Sequence, residues 1–176
     1  MTNYPDEYWM KRAIFLATEA KHQGEVPIGA VLVLYDQVIG EGYNQSIGSN
    51  DPTAHAEIIA LRRGGQTVKN YRLLQSTLYV TLEPCMMCIG AIICSRISRL
   101  VYGAYDTKIS SAGSCLNFFL YPVVNHYVQI TYGVLSEQCS SILNDFFSKK
   151  RAEQKLRKKN LCSFKDSLAA VGRKDA

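Results

Sequence analysis

Two short stretches of this 176-residue chain carry side chains that could do chemistry together. "AHAEI", residues 54–58, places His55 and Glu57 two apart in an apolar run, and "LEPCMMC", residues 82–88, places Cys85 and Cys88 behind Pro84. A catalytic zinc takes three protein ligands from His, Cys or carboxylate and keeps its fourth position for water. His55, Cys85 and Cys88 supply that set. A separation of three along a helix projects both sulfurs toward one ion, and a helix N-terminus favours the thiolate through its dipole and free amides. Pro84 is expected at the opening of that helix, where its missing N–H is no loss. Glu57 stands too close to His55 to share its ligand shell. It reads instead as a carboxylate beside the water, able to take a proton and deliver it to a leaving group.

Each fragment also has a plainer reading. A lone C-x-x-C in a reduced protein can be a redox pair or half of a structural zinc site, and a lone H-x-E arises often by chance. Their order, with an intervening helix and strand, is what joins them. A structural zinc would require a fourth protein ligand. The spare candidates Cys94 and Cys115 have no motif around them and are expected to pack as small hydrophobes.

The elements that must position these residues follow from periodicity. Residues 6–22 place Trp9, Ala13, Leu16, Ala17 and Ala20 at helical spacing, with acids in the first turn and Pro5 just ahead. "PIGAVLVLYDQVIGEGYN" reads as a hairpin turning at Tyr35-Asp36-Gln37. "NDPTAHAEIIALRRGG" reads as a helix opened by Asp51 and Pro52 and stopped at Gly64-Gly65. "TLYVTL" reads as a buried strand, and "CMMCIGAIICSR" as a helix apolar on most sides and therefore interior. "RLVYGAY" and "YVQITYGV" are further strands, residues 106–118 a polar loop, and Ser136 caps a long last helix. The pattern predicts a three-layer α/β/α sandwich around a mixed sheet of about five strands. Residues 1–160 are expected to form one domain ending in a basic helix, with 161–176 a polar tail open to disorder.

Composition narrows the setting. A 47% hydrophobic content suits one domain with a real core. No apolar run is long enough for a membrane span, and "MTNYPDEYWM" carries two acids where a secretion signal would be basic and then apolar. A soluble, cytoplasmic protein with its six cysteines reduced is expected. The net charge of +5 is uneven: residues 1–147 hold ten Lys/Arg against twelve Asp/Glu, giving −2, and residues 148–176 hold ten against three, giving +7. Such a segment fits a polyanionic partner or a solvated helix face.

With these residues in place, the chain resembles the zinc-dependent nucleoside and nucleobase deaminases of cytidine deaminase-like fold, whose signature is H-x-E followed by P-C-x-x-C. "EVPIGAVLV", "GEGYN", "DPTAHAEI", "NYRL", "TLYVTLEPCMMCIGAII", "VYGAYD-K", "ITYGVL" and "DFF" resemble, in that order, the bacterial tRNA-specific adenosine deaminases over residues 5–155. The resemblance implies homodimers that convert the wobble adenosine, position 34, of a tRNA anticodon stem-loop to inosine. It implies one zinc per subunit on His55, Cys85 and Cys88, with Glu57 moving the proton as water attacks C6 of adenine and ammonia leaves. It also implies that Asn44 hydrogen-bonds the nucleoside, which by itself reads as a strand-end turn residue. Ala54 and Pro84 adjoin the substrate, and Asp106 and Lys108 belong to a loop approaching it, otherwise a solvated loop. Tyr105, and Gln45-Ser46 after Asn44, depart from the family pattern near the RNA surface and bear on anticodon preference.

The metal motif serves cytosine, guanine or nucleotides equally well, so a free-base or nucleotide deaminase is the alternative, and a non-catalytic zinc-stabilised RNA-binding module is a third reading. "FFSKKRAEQKLRKK" argues for RNA: Phe147 can stack an unpaired base while Lys149, Lys150 and Arg151 hold phosphates. The plainer reading of Phe146 and Phe147 is a core-facing pair before an exposed helix end. An anticodon loop already presents unpaired bases, so extruding one costs less than from a duplex.

Overall fold

The computed structural model describes residues 4–105 and 126–171, with side chains described as far as Lys158. It comprises two compact units, Met1–Leu143 and Asn144–Ala176. Chain order is α1 (Asp6–His22), β1 (Gly29–Leu34), β2 (Gln37–Tyr43), α2 (Ala56–Val68), β3 (Thr77–Leu82), α3 (Met86–Ser95), β4 (Arg99–Ala104), β5 (Gln129–Tyr132) and α4 (Ser136–Val171).

The strands form one mixed sheet in the order β2-β1-β3-β4-β5. The β1/β2 and β1/β3 pairs are antiparallel, and the β3/β4 and β4/β5 pairs are parallel. Tyr35 and Asp36 both adopt positive φ, 50° and 59°. That is the twist a two-residue hairpin loop needs, reached here without glycine.

Alternation along β1 builds the two outer layers. Val31 and Val33 face α1, packing with Trp9, Met10, Ala13, Tyr79 and Val101, and Cys139 from the start of α4 joins them. Ala30 and Leu32 face the opposite way, and with Leu78, Val80, Leu100 and Tyr102 they cover Ala56, Ala60 and Leu61 of α2 and Ile89 and Ile92 of α3. The expected α/β/α sandwich is therefore present, and its two cores are the two faces of one sheet. Asp6, at the start of α1, is tied to β4 by a bidentate pair with Arg99, at 2.8 and 2.7 Å. The Tyr79 hydroxyl donates to the same carboxylate at 3.0 Å.

Three expectations need correction. α2 runs through Gly64-Gly65 to Val68, where Lys69 takes the left-handed cap at φ 54°. Gly64 is there for close approach: a Cβ on it would lie 2.4 Å from Leu32 Cδ2. Secondly, α3 is not interior, because Met86 and Met87 are exposed and only Cys88, Ile89, Ile92 and Ser95 are buried. A helix apolar on every side can still pack on one face only. Thirdly, α4 stays helical past Leu161 as far as Val171, consistent with a stretch that holds neither Pro nor Gly. Among the described residues no helix is long and apolar enough to cross a membrane. Cys85, Cys88, Cys94 and Cys139 are free thiols.

Candidate metal centre and active site

Both halves of the site are helix N-caps. His55 precedes α2 in extended backbone (φ −80°, ψ 153°) and Cys85 precedes α3 in the same way (φ −74°, ψ 168°). Neither side chain makes a capping hydrogen bond to its own helix, and the two turn toward each other. Cys88, within the first turn of α3, completes the group. The two sulfurs lie 3.6 Å apart, and each lies 3.6 Å from His55 Nδ1. This near-equilateral triangle is a group of donors able to hold a metal ion.

Two details of the sequence reading shift. Pro84 lies ahead of the cap residue, so it directs the chain out of β3 and does not occupy the first helical position. Asp51 and Pro52 do not open α2. The Asp51 carboxylate accepts from the Thr53 amide and hydroxyl, both at 2.7 Å, closing a turn before the helix. Cys94, expected to pack inside, is exposed, while Cys139, like Cys88, is buried.

Electrostatics follow the geometry. The Cys85 thiol is held down to about 4, first by the hydrogen bond from Cys88 and against its own burial, with His55 adding in the same direction. Cys88 is pushed far up because it donates that bond and is buried. His55 is raised, first by its bond to the Cys85 sulfur. The three donors thus hold a proton among themselves, and a cation at their centre would take its place.

Glu57 is only 3% exposed. Burial, first of all, lifts its carboxyl above the ordinary range; Cys85 pushes the same way and His55 opposes. Its Oε2 has no hydrogen-bond partner among the described residues. A buried acceptor without a partner is costly, and a buried carboxyl with a raised pKa beside such a donor triangle is placed to exchange a proton there.

Asn44 is 5% exposed at the end of β2. Its Oδ1 accepts from the Ala56 amide at 2.9 Å, taking one of the free N–H groups that open α2. This fixes the side-chain amide and leaves its NH2 to donate elsewhere. Ala54 is buried beside His55, and its carbonyl accepts from Gln45 at 3.0 Å, closing the loop that links Asn44 to His55. Glu25, which opens the stretch "EVPIGAVLV" but belongs to no catalytic pattern there, is buried against this same loop. Its place at the head of that stretch is the signal that could have drawn attention to it.

Asp106 and Lys108 lie outside the described residues. Tyr105 is exposed, with its ring edge-on to Tyr102 at 5.6 Å. The expected RNA-contacting residues of the second unit divide. Phe146 is buried, so of the pair only Phe147 keeps an exposed ring. Lys149 and Arg151 are exposed, and Lys150 lies 5.6 Å from the Phe146 ring centre and 3.9 Å from Glu153.

Sheet, helix order and donor triangle together define a deaminase, and the family profile of the MafB19-like deaminases matches residues 4–151. A Haemophilus influenzae protein named tRNA-specific adenosine deaminase is 55% identical over 162 residues, covering 92% of this chain and 94% of the relative. A Buchnera aphidicola (subsp. Baizongia pistaciae) protein of the same name is 55% identical over 146 residues, covering 83% and 90%. A structure solved in a study of A-to-I editing by tRNA:A34 deaminases at the wobble position of transfer RNA aligns with a TM-score of 0.73 at 42% identity, covering 77% of this chain and 99% of that one. The chain belongs to the tRNA-specific adenosine deaminases, within the MafB19-like deaminase family.

Proposed function

We propose that the protein hydrolyses adenosine to inosine at wobble position 34 of a tRNA anticodon, consuming one water and releasing ammonia. The observation that carries this is the buried Glu57 carboxyl, whose Oε2 has no hydrogen-bond partner among the described residues, beside the 3.6 Å triangle of His55, Cys85 and Cys88. One zinc per subunit suits that triangle. Tetrahedral zinc, with bonds of about 2.3 Å to sulfur and about 2.0 to 2.1 Å to nitrogen, separates two sulfurs by about 3.8 Å and a sulfur from a nitrogen by about 3.6 Å. Bound there, zinc lowers the pKa of a water enough to make it a nucleophile at neutral pH.

The chain's own residues do the rest. Glu57 accepts the proton of the attacking water and returns it to the departing amino group as the C6–N bond breaks. Asn44, its carbonyl held by Ala56, donates from its NH2 to the nucleoside, while Ala54 and Pro84 wall the adenine. Asp106 and Lys108, which follow β4 in the chain, contribute further contacts to the substrate. Phe147 stacks an unpaired base, and Lys149, Lys150 and Arg151 hold phosphates. The active form is a homodimer. The exposed face of α3 supports this, since Met87 and Ala91 line an apolar depression together with Ile58, Leu61, Tyr71 and Leu73. With tRNA as substrate, the enzyme works in the cytoplasm.

Incubation with total tRNA, followed by sequencing for A-to-inosine change at position 34 and a zinc assay on the same sample, tests the reading. Inosine at that position with about one zinc per chain is expected. Glu57→Ala should abolish inosine formation while zinc and tRNA binding persist. Turnover of that variant near the parent rate would overturn the mechanism, and turnover of free guanine or cytosine without salt-sensitive RNA binding would favour the free-base alternative.

A further inference from the structure

Glu25 is an acid where the family chemistry needs none. It lies just after α1, past the left-handed turn at Gly24 (φ 79°), and its own amide bonds back to the Ala20 carbonyl at 3.0 Å. Its side chain is 3% exposed, and both carboxylate oxygens accept backbone amides of the loop between Asn44 and His55. Oε1 accepts from Gly48 at 2.7 Å and Oε2 from Ile47 at 3.2 Å. Hydrogen bonds to an ionised acceptor are about twice as strong as neutral ones, so a buried carboxylate on two amides is a rigid joint between α1 and that loop.

Among the described residues little else holds the loop to the body of the fold. Its backbone-to-backbone hydrogen bonds there are internal, among them Gln45 to Ala54 at 3.0 Å, Ser49 to Gln45 at 2.9 Å, Asp51 to Ser46 at 3.2 Å and Ala54 to Asp51 at 3.1 Å. Asp51 also faces Arg62 of α2, but at 4.0 Å and on the surface, where such a pair contributes little. A loop of this kind keeps its shape but needs an external anchor to keep its place. At one end stands Asn44, whose amide binds the opening of α2, and at the other His55, a corner of the metal triangle.

We propose that Glu25 is a positioning residue: its carboxylate anchors the 45–54 loop through the Ile47 and Gly48 amides and thereby holds Asn44 and His55 in register for the reaction. This rests on the deaminase reading above. The acid acts through backbone and touches no reacting atom, so its loss should lower kcat more than it raises KM.

The test compares the zinc-loaded parent with Glu25→Ala and Glu25→Gln, using an anticodon stem-loop as substrate and hydrogen exchange of the peptide spanning residues 45–54. Glu25→Ala should speed exchange in that peptide and lower kcat by about 10- to 100-fold, the scale of a misplacement near 1 Å. Glu25→Gln keeps one acceptor and should recover part of both losses, with zinc content and melting temperature close to the parent. Unchanged exchange over 45–54 in Glu25→Ala, or a kcat loss explained wholly by the unfolded fraction, overturns the proposal. The exchange readout needs no substrate and the parent's turnover is measured alongside. Failure of the anchor and failure of the deaminase reading therefore give different results.

Discussion

Gly42 of β2 is the point where a single methyl group should separate stability from catalysis. A Cβ on Gly42 would lie 2.2 Å from the Ala56 carbonyl oxygen and 2.8 Å from the Ala60 amide nitrogen. Ordinary contact begins at 3.4 Å, so Gly42→Ala must drive β2 and the first turn of α2 apart by about 1.2 Å, the difference between 3.4 and 2.2 Å. Neither obstacle is a flexible side-chain tip, so overpacking costs about 1 to 3 kcal/mol. Ala56 sits between His55 and Glu57, and a shift near 1 Å in a catalytic group costs about 100-fold in rate. Gly40 supplies a matched control, because its Cβ would lie 2.2 Å from the Ala60 carbonyl oxygen and 2.7 Å from Gly64 N, a turn further along the same helix. Urea unfolding of both zinc-loaded variants should show similar losses. Deamination of an anticodon stem-loop should fall far more in Gly42→Ala. If Gly42→Ala keeps kcat/KM within about twofold of the parent, or if both variants lose activity in proportion to stability alone, then the tight seat of β2 under α2 does not set the geometry of the site.

Other consequences follow from separate parts of the molecule. Arg99, by its hydrogen bonds and charge, holds the Asp6 carboxyl below the ordinary range. The pair's stabilisation is therefore fully present above the unfolded value near 3.8 and lost as pH falls through the lower folded value. Asp6→Asn should cost about 1 to 2 kcal/mol in urea unfolding at neutral pH, and the gap to the parent should close on acidification. Replacing Lys149, Lys150 and Arg151 by Gln should reduce the slope of log Kd against log salt for an anticodon stem-loop by about 2, at about 0.7 per phosphate contact; an unchanged slope would remove these cations from the interface. Gly90 lies inside α3, and a Cβ added there would meet nothing within 4 Å, so Gly90→Ala should raise stability by about 0.5 to 1 kcal/mol, read as a higher urea midpoint.

How far the sequence alone reaches can be judged residue by residue. His55, Cys85, Cys88 and Glu57 are identifiable as candidates because their chemistry depends on residue type and short spacing, α1 because its apolar residues keep helical spacing over residues 6–22, and β3 because its short apolar run suits a buried strand. The two ends of α2 are not legible in the same way. Gly64-Gly65 resembles a stop and Asp51-Pro52 resembles a start, yet glycine also serves close packing and Asp51 serves a turn. Phe146 and Phe147 cannot be told apart by pattern, because adjacent helical residues point in different directions and only one of them is buried.

What the sequence determined by itself was therefore a set of candidate metal donors with a carboxylate beside it, a sheet with helices on both sides, and a basic end. Tertiary structure decided the rest, since each remaining fact joins residues far apart in the chain. It brought two N-cap side chains within 3.6 Å of each other, occupied the Asn44 carbonyl with the Ala56 amide, and buried Glu25 on two loop amides. Hydrogen bonds and close contacts of that kind depend on where two segments meet in space, and no local pattern of residues records the meeting point.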